Sequence, residues 1–203
     1  MNWQELSALL VLASAMSFTP GPNTTLSTAL AANRGLRHAL PFVFAVPLGW
    51  SALLLVCALG LGALLLAAPL LAWAVKLIGV LYLLWLAWKL SQTRQLGEAN
   101  DANLRVGFWQ GVALQFVNIK AWMLALAIVS GWIAGHADPA QRLMVVVPVM
   151  MAYAFVSNLL YALAGSLLRN WLTGPAGTGR RLKWFNRSMA LVLVVTALWM
   201  LTL

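Results

Sequence analysis

Long runs without a charged residue constrain this chain more than any other feature of its sequence. One run extends from Leu6 to Asn33 and another from Ala39 to Val75, and only 8% of all residues are charged. A soluble domain is about 25% charged, whereas a membrane-spanning helix needs about 20 apolar residues. The apolar residues are continuous rather than alternating, which favours helices over a spanning β-barrel. The sequence therefore predicts an all-α integral membrane protein.

The charge-free runs predict six transmembrane helices. Their expected ranges are 5–31, 40–66, 70–90, 108–134, 142–168 and 185–203. The segment from Ser91 to Leu104 is the most polar of the chain and separates two groups of three helices. Three helices per group place the two halves, about 1–92 and 104–203, in opposite orientations, as in inverted-repeat transporters. We expect one transmembrane transporter domain over residues 1–203.

Positive residues predict the orientation in the membrane. Most of the thirteen lysines and arginines follow the first, third and fifth helices: Arg34, Arg37, Lys89, Arg94, Arg105, Arg169, Arg180, Arg181, Lys183 and Arg187. The positive-inside rule places these loops in the cytoplasm and both termini on the periplasmic side. This layout, rather than a basic patch, explains the net charge of +9, so we expect no nucleic-acid partner.

A signal peptide is the alternative interpretation of the first helix. Ala13-Ser14-Ala15 resembles a cleavage site, but no basic residue precedes it and Glu5 does. The apolar run also continues well beyond this point. We therefore expect the first helix to be retained.

Two prolines around a glycine interrupt the first predicted helix near its middle. Pro20 and Pro22 lack the backbone N–H, so the carbonyls of Met16 and Phe18 lose their usual partners. Irregular backbone at membrane depth is tolerated where protein or a water-filled cavity meets its polar groups. Pro22 suits the first turn of a new half-helix, whose free N–H groups near Asn23 favour a carboxylate; a packing kink is the alternative. The expected substrate-binding residues are Pro20, Gly21, Pro22 and Asn23, with Thr19 on the pathway.

A lysine lies deep in the fourth predicted helix. Lys120 is about 15 Å from the cytoplasmic surface at a rise of about 1.5 Å per residue, and a charge there costs at least about 2.5 kcal/mol. Apart from Glu5 at the very start of the first, no predicted span contains an acidic residue, so we expect the partner of Lys120 to be a bound anion or a carbonyl freed by a helix break. Snorkelling is the alternative, which this depth disfavours. We expect Asn118 and Lys120 to bind substrate.

Other intramembrane residues carry weaker signals. Lys76 is about 9 Å into the third helix, where it either snorkels to the outer interface or lines the pathway. Asn158 either bonds another helix or lines the pathway. Two pairs of glycines four residues apart are typical of close helix packing: Gly107 with Gly111, and Gly131 with Gly135.

The sequence lacks the motifs of intramembrane or ATP-driven catalysis. It contains no Walker-type phosphate loop, no carboxylate pair in a span, and only two histidines, His38 and His136, which lie at or beyond helix ends. The single cysteine, Cys57, lies in an apolar run and is expected to pack there. We expect no enzyme activity, no cofactor and no metal site, and any uphill transport must draw on an ion gradient or a partner.

The segment around the first break resembles the signature of the LysE/RhtB family of amino-acid exporters; it runs Met16-Ser17-Phe18-Thr19-Pro20-Gly21-Pro22-Asn23. The six-helix plan, Lys76 with Gly79 and Tyr82-Leu83, and the Asn-x-Lys element of helix four are also similar, so the resemblance covers essentially the whole chain. It is closer to the cysteine and O-acetylserine exporter subgroup in three segments: 114–120, 85–89 and 162–165. Most of the family has proline where this chain has Ile119, so we expect a less sharply broken fourth helix.

The resemblance implies an inner-membrane exporter of small neutral amino acids. Cysteine and O-acetylserine are the expected substrates, the proton gradient is the expected energy source, and the partners are the substrate, protons and the lipid bilayer. Lys120, whose charged form is disfavoured by desolvation, or the substrate's own ionisable groups would carry the proton. The alternatives are an exporter of homoserine, threonine or another neutral amino acid, a structural or regulatory membrane subunit, and a passive channel. The alternatives for the oligomeric state include a homo-oligomer.

Overall fold

Every regular element in the described part of the chain is a helix. The computed structural model describes residues 1–93, 106–174 and 179–202. The helices are α1 (Trp3–Phe18), α2 (Pro22–Arg34), α3 (Leu36–Ala58), α4 (Leu61–Ala67), α5 (Pro69–Gln92), α6 (Phe108–Val117), α7 (Ile119–Ile128), α8 (Pro139–Thr173) and α9 (Arg180–Thr202). A π-helical turn over Val129–Ile133 continues α7. The predicted all-α class is confirmed.

Local sequence explains where several of these helices begin and end. Pro22, Pro69 and Pro139 occupy the first positions of α2, α5 and α8, where the missing N–H has no helical partner to lose. Asn2 and Glu5 form a capping box at the start of α1, each side chain bonding the other's backbone N–H at 2.8 Å. Gly60 has a φ of 93°, a conformation that favours glycine, and it separates α3 from α4.

The structure supports fewer continuous spans than the six predicted. Four of the described helices, α3, α5, α8 and α9, are long and apolar enough to cross a membrane. The pair α6 and α7, extended by the π turn, makes a fifth if its 69° bend is counted within one span. The predicted first span, 5–31, is instead the 16-residue α1 followed by α2, because the backbone is broken at residues 19–21. The count of six continuous helices is therefore not confirmed.

Other predicted boundaries shift for identifiable reasons. The second predicted helix, 40–66, ends at Ala58, because the chain turns at Gly60 before α4. The last helix begins at Arg180 rather than at residue 185, so it is not short. The polar segment between the predicted halves lies largely outside the described residues, and so do Arg94 and Arg105.

The helix α2, which is rich in polar residues, lies at the centre of the fold. It packs against α3, α8 and α9, and most of its residues are buried. Its polar side chains bond a different helix at three levels: Asn23 with Gln115 of α6, Ser27 with Asn158 of α8, and Asn33 with Asn186 of α9. Interhelical hydrogen bonds of this kind hold membrane helices together where lipid gives no hydrophobic driving force.

Described residues next to the basic loops meet through hydrogen bonds. At one end, buried Asn186 donates to Asn33 at 2.9 Å and to the carbonyl of Thr93 at 3.0 Å. These contacts join the end of α2, the end of α5 and the start of α9, next to the described basic residues of these loops. Arg142 and Arg169 stand near the two ends of the long helix α8. The predicted alternation of loops between the two ends is consistent with this arrangement.

An ion-pair cluster closes the opposite end. Arg142 is 8% exposed and bonds the carboxylates of Glu5 at 3.2 Å and Asp138 at 2.9 Å. The indole N–H of Trp132 donates to the carbonyl of Glu5 at 2.9 Å. The hydrogen bond from Arg142 lowers the pKa of the Asp138 carboxyl. The stabilisation from this ion pair is therefore complete above the pKa of aspartate in the unfolded chain. It is lost as the pH falls through the lowered pKa of Asp138 in the folded protein.

Glycines mark the closest helix contacts, but not always where their spacing suggests. A Cβ added to Gly165 in α8 would lie 2.2 Å from the Thr28 carbonyl of α2, and one added to Gly111 would lie 2.7 Å from the Cβ of Ala45. The packing expected of Gly111 is confirmed. The prediction of close packing is wrong for Gly131 and Gly135, where an added Cβ meets nothing within 4 Å. This segment forms the π turn and the turn after it.

We predict that Gly165→Ala destabilises the protein by about 1–3 kcal/mol, the usual cost of overpacking, because the new methyl group meets backbone. Gly131→Ala is the matched control and should leave stability unchanged or slightly higher. The lone cysteine, Cys57, is 3% exposed, so its labelling by a thiol-reactive dye during heating reports unfolding. Equal labelling midpoints for the two variants would contradict the close α2–α8 contact.

Candidate functional site

The first helix break frees the carbonyl groups at the end of α1. The chain is extended at Thr19 (φ −68°, ψ 128°) before α2 begins at Pro22. The freed carbonyls accept hydrogen bonds from side chains of other helices: Met16 and Thr19 from Lys120, Ser17 from Ser157, and Phe18 from Tyr161. The prediction that the Met16 and Phe18 carbonyls lose their helical partners is confirmed, and each is bonded by another part of the chain.

A second break separates α6 from α7 at Asn118. This residue is extended (φ −92°, ψ 101°), and the two helices are bent by 69°. The indole of Trp122 donates to the freed carbonyl of Phe116 at 2.7 Å. Across the interface, a Cβ added to Gly79 of α5 would lie 1.9 Å from the carbonyl oxygen of Val117. The chain therefore bends by 69° without a proline, which does not fit the expectation of a mild break, and Gly79 lets α5 pack closely against the backbone at this point.

Lys120 joins the two breaks. It lies in the first turn of α7, and its Nζ is 3.4 Å from the carbonyl oxygens of both Met16 and Thr19. The ammonium therefore stands at the carbonyl end of α1, where the helix dipole is negative. A Cβ added to Gly21 would lie 3.5 Å from this Nζ, so the glycine leaves room beside the ammonium. Two partners were expected for Lys120, a bound anion or a freed backbone carbonyl, and the structure shows freed carbonyls.

A cavity of about 80 Å³ opens between the two breaks. A water molecule needs about 10–15 Å³ of such space, so the cavity has room for several waters or for a small organic molecule. It is lined by Met16, Ser17, Thr19, Gly21, Pro22, Asn23, Thr24, Val46, Trp50, Asn118, Lys120, Ala121, Leu124, Met150, Ala154 and Asn158. Lys120 is the one ionisable residue among these lining residues.

The cavity brings together most of the residues singled out from the sequence. Thr19, Gly21, Pro22, Asn23, Asn118, Lys120 and Asn158 all line it. Pro20 does not, and it is exposed. Lys76 does not line it either, since its ammonium lies 4.7 Å from the centre of the Trp73 ring, a cation–π contact on the exposed side of α5.

Two buried polar atoms of lining residues have no hydrogen-bond partner within the described part of the chain. They are the Oδ1 of Asn118 and the Nε1 of Trp50. Their residues are 3% and 5% exposed. A buried donor or acceptor left unsatisfied costs about 1–3 kcal/mol, so a hydrogen-bond partner for either atom would stabilise this part of the structure.

The second half-helix adds a positive dipole end to the cavity. In the first turn of α2 the backbone N–H groups of Asn23 and Thr24 have no acceptor within the helix, as in any helix N-terminus. The side chain of Asn23 is held by a reciprocal amide pair with Gln115, at 2.9 and 3.1 Å. The cavity is thus flanked by the negative end of α1, the positive end of α2 and the ammonium of Lys120.

Comparisons with known proteins identify the family of this chain. The family model described as LysE type translocator matches residues 14–203. The chain belongs to the LysE family. This membership makes it a multi-pass membrane transporter rather than an enzyme and confirms the family resemblance.

Individual relatives of this chain have similar lengths. A cysteine/O-acetylserine efflux protein of Escherichia coli O1:K1 / APEC is 32% identical over 197 residues, which cover 95% of each chain. The protein with the same description from Salmonella typhimurium (strain LT2) is 29% identical over 164 residues, or 81% of this chain and 84% of the relative. One from Klebsiella pneumoniae is 28% identical over 179 residues, or 88% and 89%. No solved structure matches this chain.

Several residues of the candidate site carried no usable signal in the sequence. Trp50 and Met150 lie in uniformly apolar runs, and nothing local distinguishes them from packing residues. Tyr161 and Ser157 cap carbonyls more than a hundred residues away in the chain. The one sequence signal for Ser157 is its position next to Asn158, which the sequence had singled out.

We predict that Tyr161→Phe lowers the free energy of unfolding by about 0.6 kcal/mol and at most about 1.7 kcal/mol, the range for interhelical hydrogen bonds in membranes. The reason is that the Phe18 carbonyl loses its donor, the Tyr161 hydroxyl 3.0 Å away. Tyr153→Phe is the matched control on the same helix, since the Tyr153 hydroxyl makes no hydrogen bond with the described residues. Heat-induced labelling of Cys57 measures both, and a Tyr153→Phe effect as large as that of Tyr161→Phe would count against the capping role.

Proposed function

We propose that this protein exports small neutral amino acids, chiefly cysteine and O-acetylserine, across the inner membrane. The observation that carries the proposal is the cavity at the meeting of two helix breaks, which combines one ammonium with an unsatisfied amide oxygen. The printed names of the relatives support the substrate class, and the family model supports translocation.

In the proposed complex, the α-carboxylate of the substrate lies between Lys120 and the start of α2. An ammonium and a helix N-terminus both favour an anion, and the glycine at position 21 keeps this approach open. The α-ammonium group of the substrate donates to Asn118 Oδ1 and to carbonyls at the end of α1. The two charges of a zwitterion then each meet the opposite sign within one small space.

The lining residues favour a neutral side chain. Lys120 is the one ionisable residue among the described residues that line the cavity, and in this proposal the substrate's own carboxylate already binds it. A second charge on the substrate would be buried without a partner, which is costly. The size of about 80 Å³ suits a short side chain.

The proposed transport cycle uses six crossing segments, with α1 and α2 together forming the first and α6 with α7 the fourth. Each predicted half then begins with a broken crossing, the arrangement found in inverted-repeat transporters. Apolar clusters lie on both sides of the cavity, one around Leu26 and Phe42 and the other around Trp50 and Leu53. In this proposal the two clusters close the cavity alternately, as alternating access requires and an open channel does not. The basic loops face the cytoplasm and both termini the periplasm, as the positive-inside rule requires.

We propose that the proton gradient drives export. The described residues that line the cavity include no carboxylate, so in this proposal the proton is carried either by Lys120 or by the ionisable groups of the substrate. Desolvation favours the neutral amine of a buried lysine, and the two 3.4 Å contacts to carbonyl oxygens favour the ammonium. A change in these contacts during the cycle would shift the balance between the two forms.

We predict that Lys120→Met and Asn118→Ala each reduce transport of labelled cysteine into proteoliposomes by at least about tenfold, since a hydrogen bond to a charged group contributes about 1.5–3 kcal/mol. Lys76→Met is the matched control, because it removes the other intramembrane lysine without touching the cavity. We expect it to retain activity. Near-normal transport by Lys120→Met, with correct insertion, would show that the site is misplaced.

We further predict that an imposed pH difference drives cysteine and O-acetylserine to concentrations above equilibrium in the same proteoliposomes. A gradient-driven transporter sustains such accumulation, whereas a passive channel only equalises concentrations. A panel of amino acids that includes homoserine, threonine and lysine tests the substrate range. Flux that ignores the pH difference would contradict proton coupling, and the absence of any flux would favour a structural role.

A further inference from the structure

The indole of Trp50 forms part of the cavity wall on the side away from the basic end of the bundle. It lies in α3 and belongs to the apolar cluster that also contains Met150 and Ala121, and all three line the cavity. We propose that Trp50 is a specificity-determining residue whose indole N–H donates a hydrogen bond to an acceptor on the side chain of the transported amino acid. This inference rests on the proposed function and deepens it.

Trp50 differs from the other inward-facing tryptophans in how its N–H is satisfied. Trp122 donates to the Phe116 carbonyl at 2.7 Å and Trp132 to the Glu5 carbonyl at 2.9 Å. The Nε1 of Trp50, a residue that is 5% exposed, finds no acceptor among the described residues. Buried indole N–H groups usually have a partner. The one that lacks a protein partner is the one whose residue lines the cavity.

The position of Trp50 assigns it to the side chain of the solute rather than to its α-groups. The α-carboxylate and α-ammonium groups are placed at the breaks, with Lys120 and Asn118. Trp50 comes from α3, an unbroken helix at this level, and its neighbours on the wall are the apolar Leu124, Met150 and Ala121. A side chain that enters this apolar part of the cavity meets the indole N–H as its one unsatisfied donor.

The chemistry of the donor sets the preference. An indole N–H donates and cannot accept, so it recognises a side-chain acceptor. The carbonyl oxygen of an acyl ester is a strong acceptor, whereas a thiol sulfur is a weak one. Trp50 therefore favours O-acetylserine more than it favours cysteine, while the thioethers of Met16 and Met150 suit a soft side chain of either kind.

Trp50→Phe keeps an aromatic ring and removes the donor. In proteoliposomes, we expect the KM for O-acetylserine to rise by about two- to tenfold, as the loss of one hydrogen bond implies, and the KM for cysteine to change less than twofold. Trp109→Phe is the matched control, since Trp109 is 76% exposed, and it should change neither value. An equal rise for both substrates, or no rise for either, would overturn the assignment.

A measurement on the unmodified protein guards against a variant that fails to fold. O-ethylserine keeps the length of O-acetylserine and lacks the carbonyl group. We expect it to compete for cysteine transport about two- to tenfold less well than O-acetylserine, and equal competition would overturn the role of Trp50. If the unmodified protein transported neither cysteine nor O-acetylserine, the proposed function itself would fail; transport with equal competition would refute the role of Trp50 alone.

Discussion

The contact between the Lys120 ammonium and the carbonyl end of α1 is the interaction on which the rest of the site depends. A broken backbone at membrane depth must be hydrogen-bonded by protein or water. Lys120 meets two of the freed carbonyls, and Ser157 and Tyr161 of α8 meet two others. The lysine in turn obtains a partner that the sequence, with no acidic residue in a span apart from Glu5 at the start of the first, does not otherwise supply. The freed carbonyls of the first break and the ammonium of Lys120 beside the second break therefore stabilise each other, and either would be costly alone.

The central position of α2 follows from the same constraint. This helix is too polar to face lipid, and its side chains find their partners inside the bundle. From the cavity to the basic end they bond three different helices, through the pairs Asn23–Gln115, Ser27–Asn158 and Asn33–Asn186. The close contact of Gly165 with the Thr28 carbonyl holds α8 against the same helix. A shift of α2 would change all of these contacts together, which links the cavity to the end of the bundle that carries the basic loops.

The sequence predicted the parts of the site that have a local cause. The prolines at positions 20 and 22 determine the first break and its orphaned carbonyls through their own missing N–H groups. The sharp second break was not predicted, because no proline marks it, and the close contact of Gly79 in another helix with the Val117 carbonyl leaves no trace in the local sequence. Likewise the spacing of Gly131 and Gly135 predicted packing, but contact depends on which neighbour faces a glycine. The membership of Trp50 in the cavity wall is also a property of the assembled helices.

The structure holds α1 at both of its ends by residues from the second half of the chain. At its start, Arg142 bonds Glu5 and Trp132 donates to the Glu5 carbonyl; at its end, Lys120 bonds the Met16 and Thr19 carbonyls. In the proposed site the same ammonium also binds the substrate carboxylate. A carboxylate that draws Lys120 towards itself weakens the contacts that fix the end of α1. Lys120 then links occupancy of the cavity to the position of α1. A substrate can shift a conformational equilibrium only if it binds the two states with different affinity, and this link supplies such a difference.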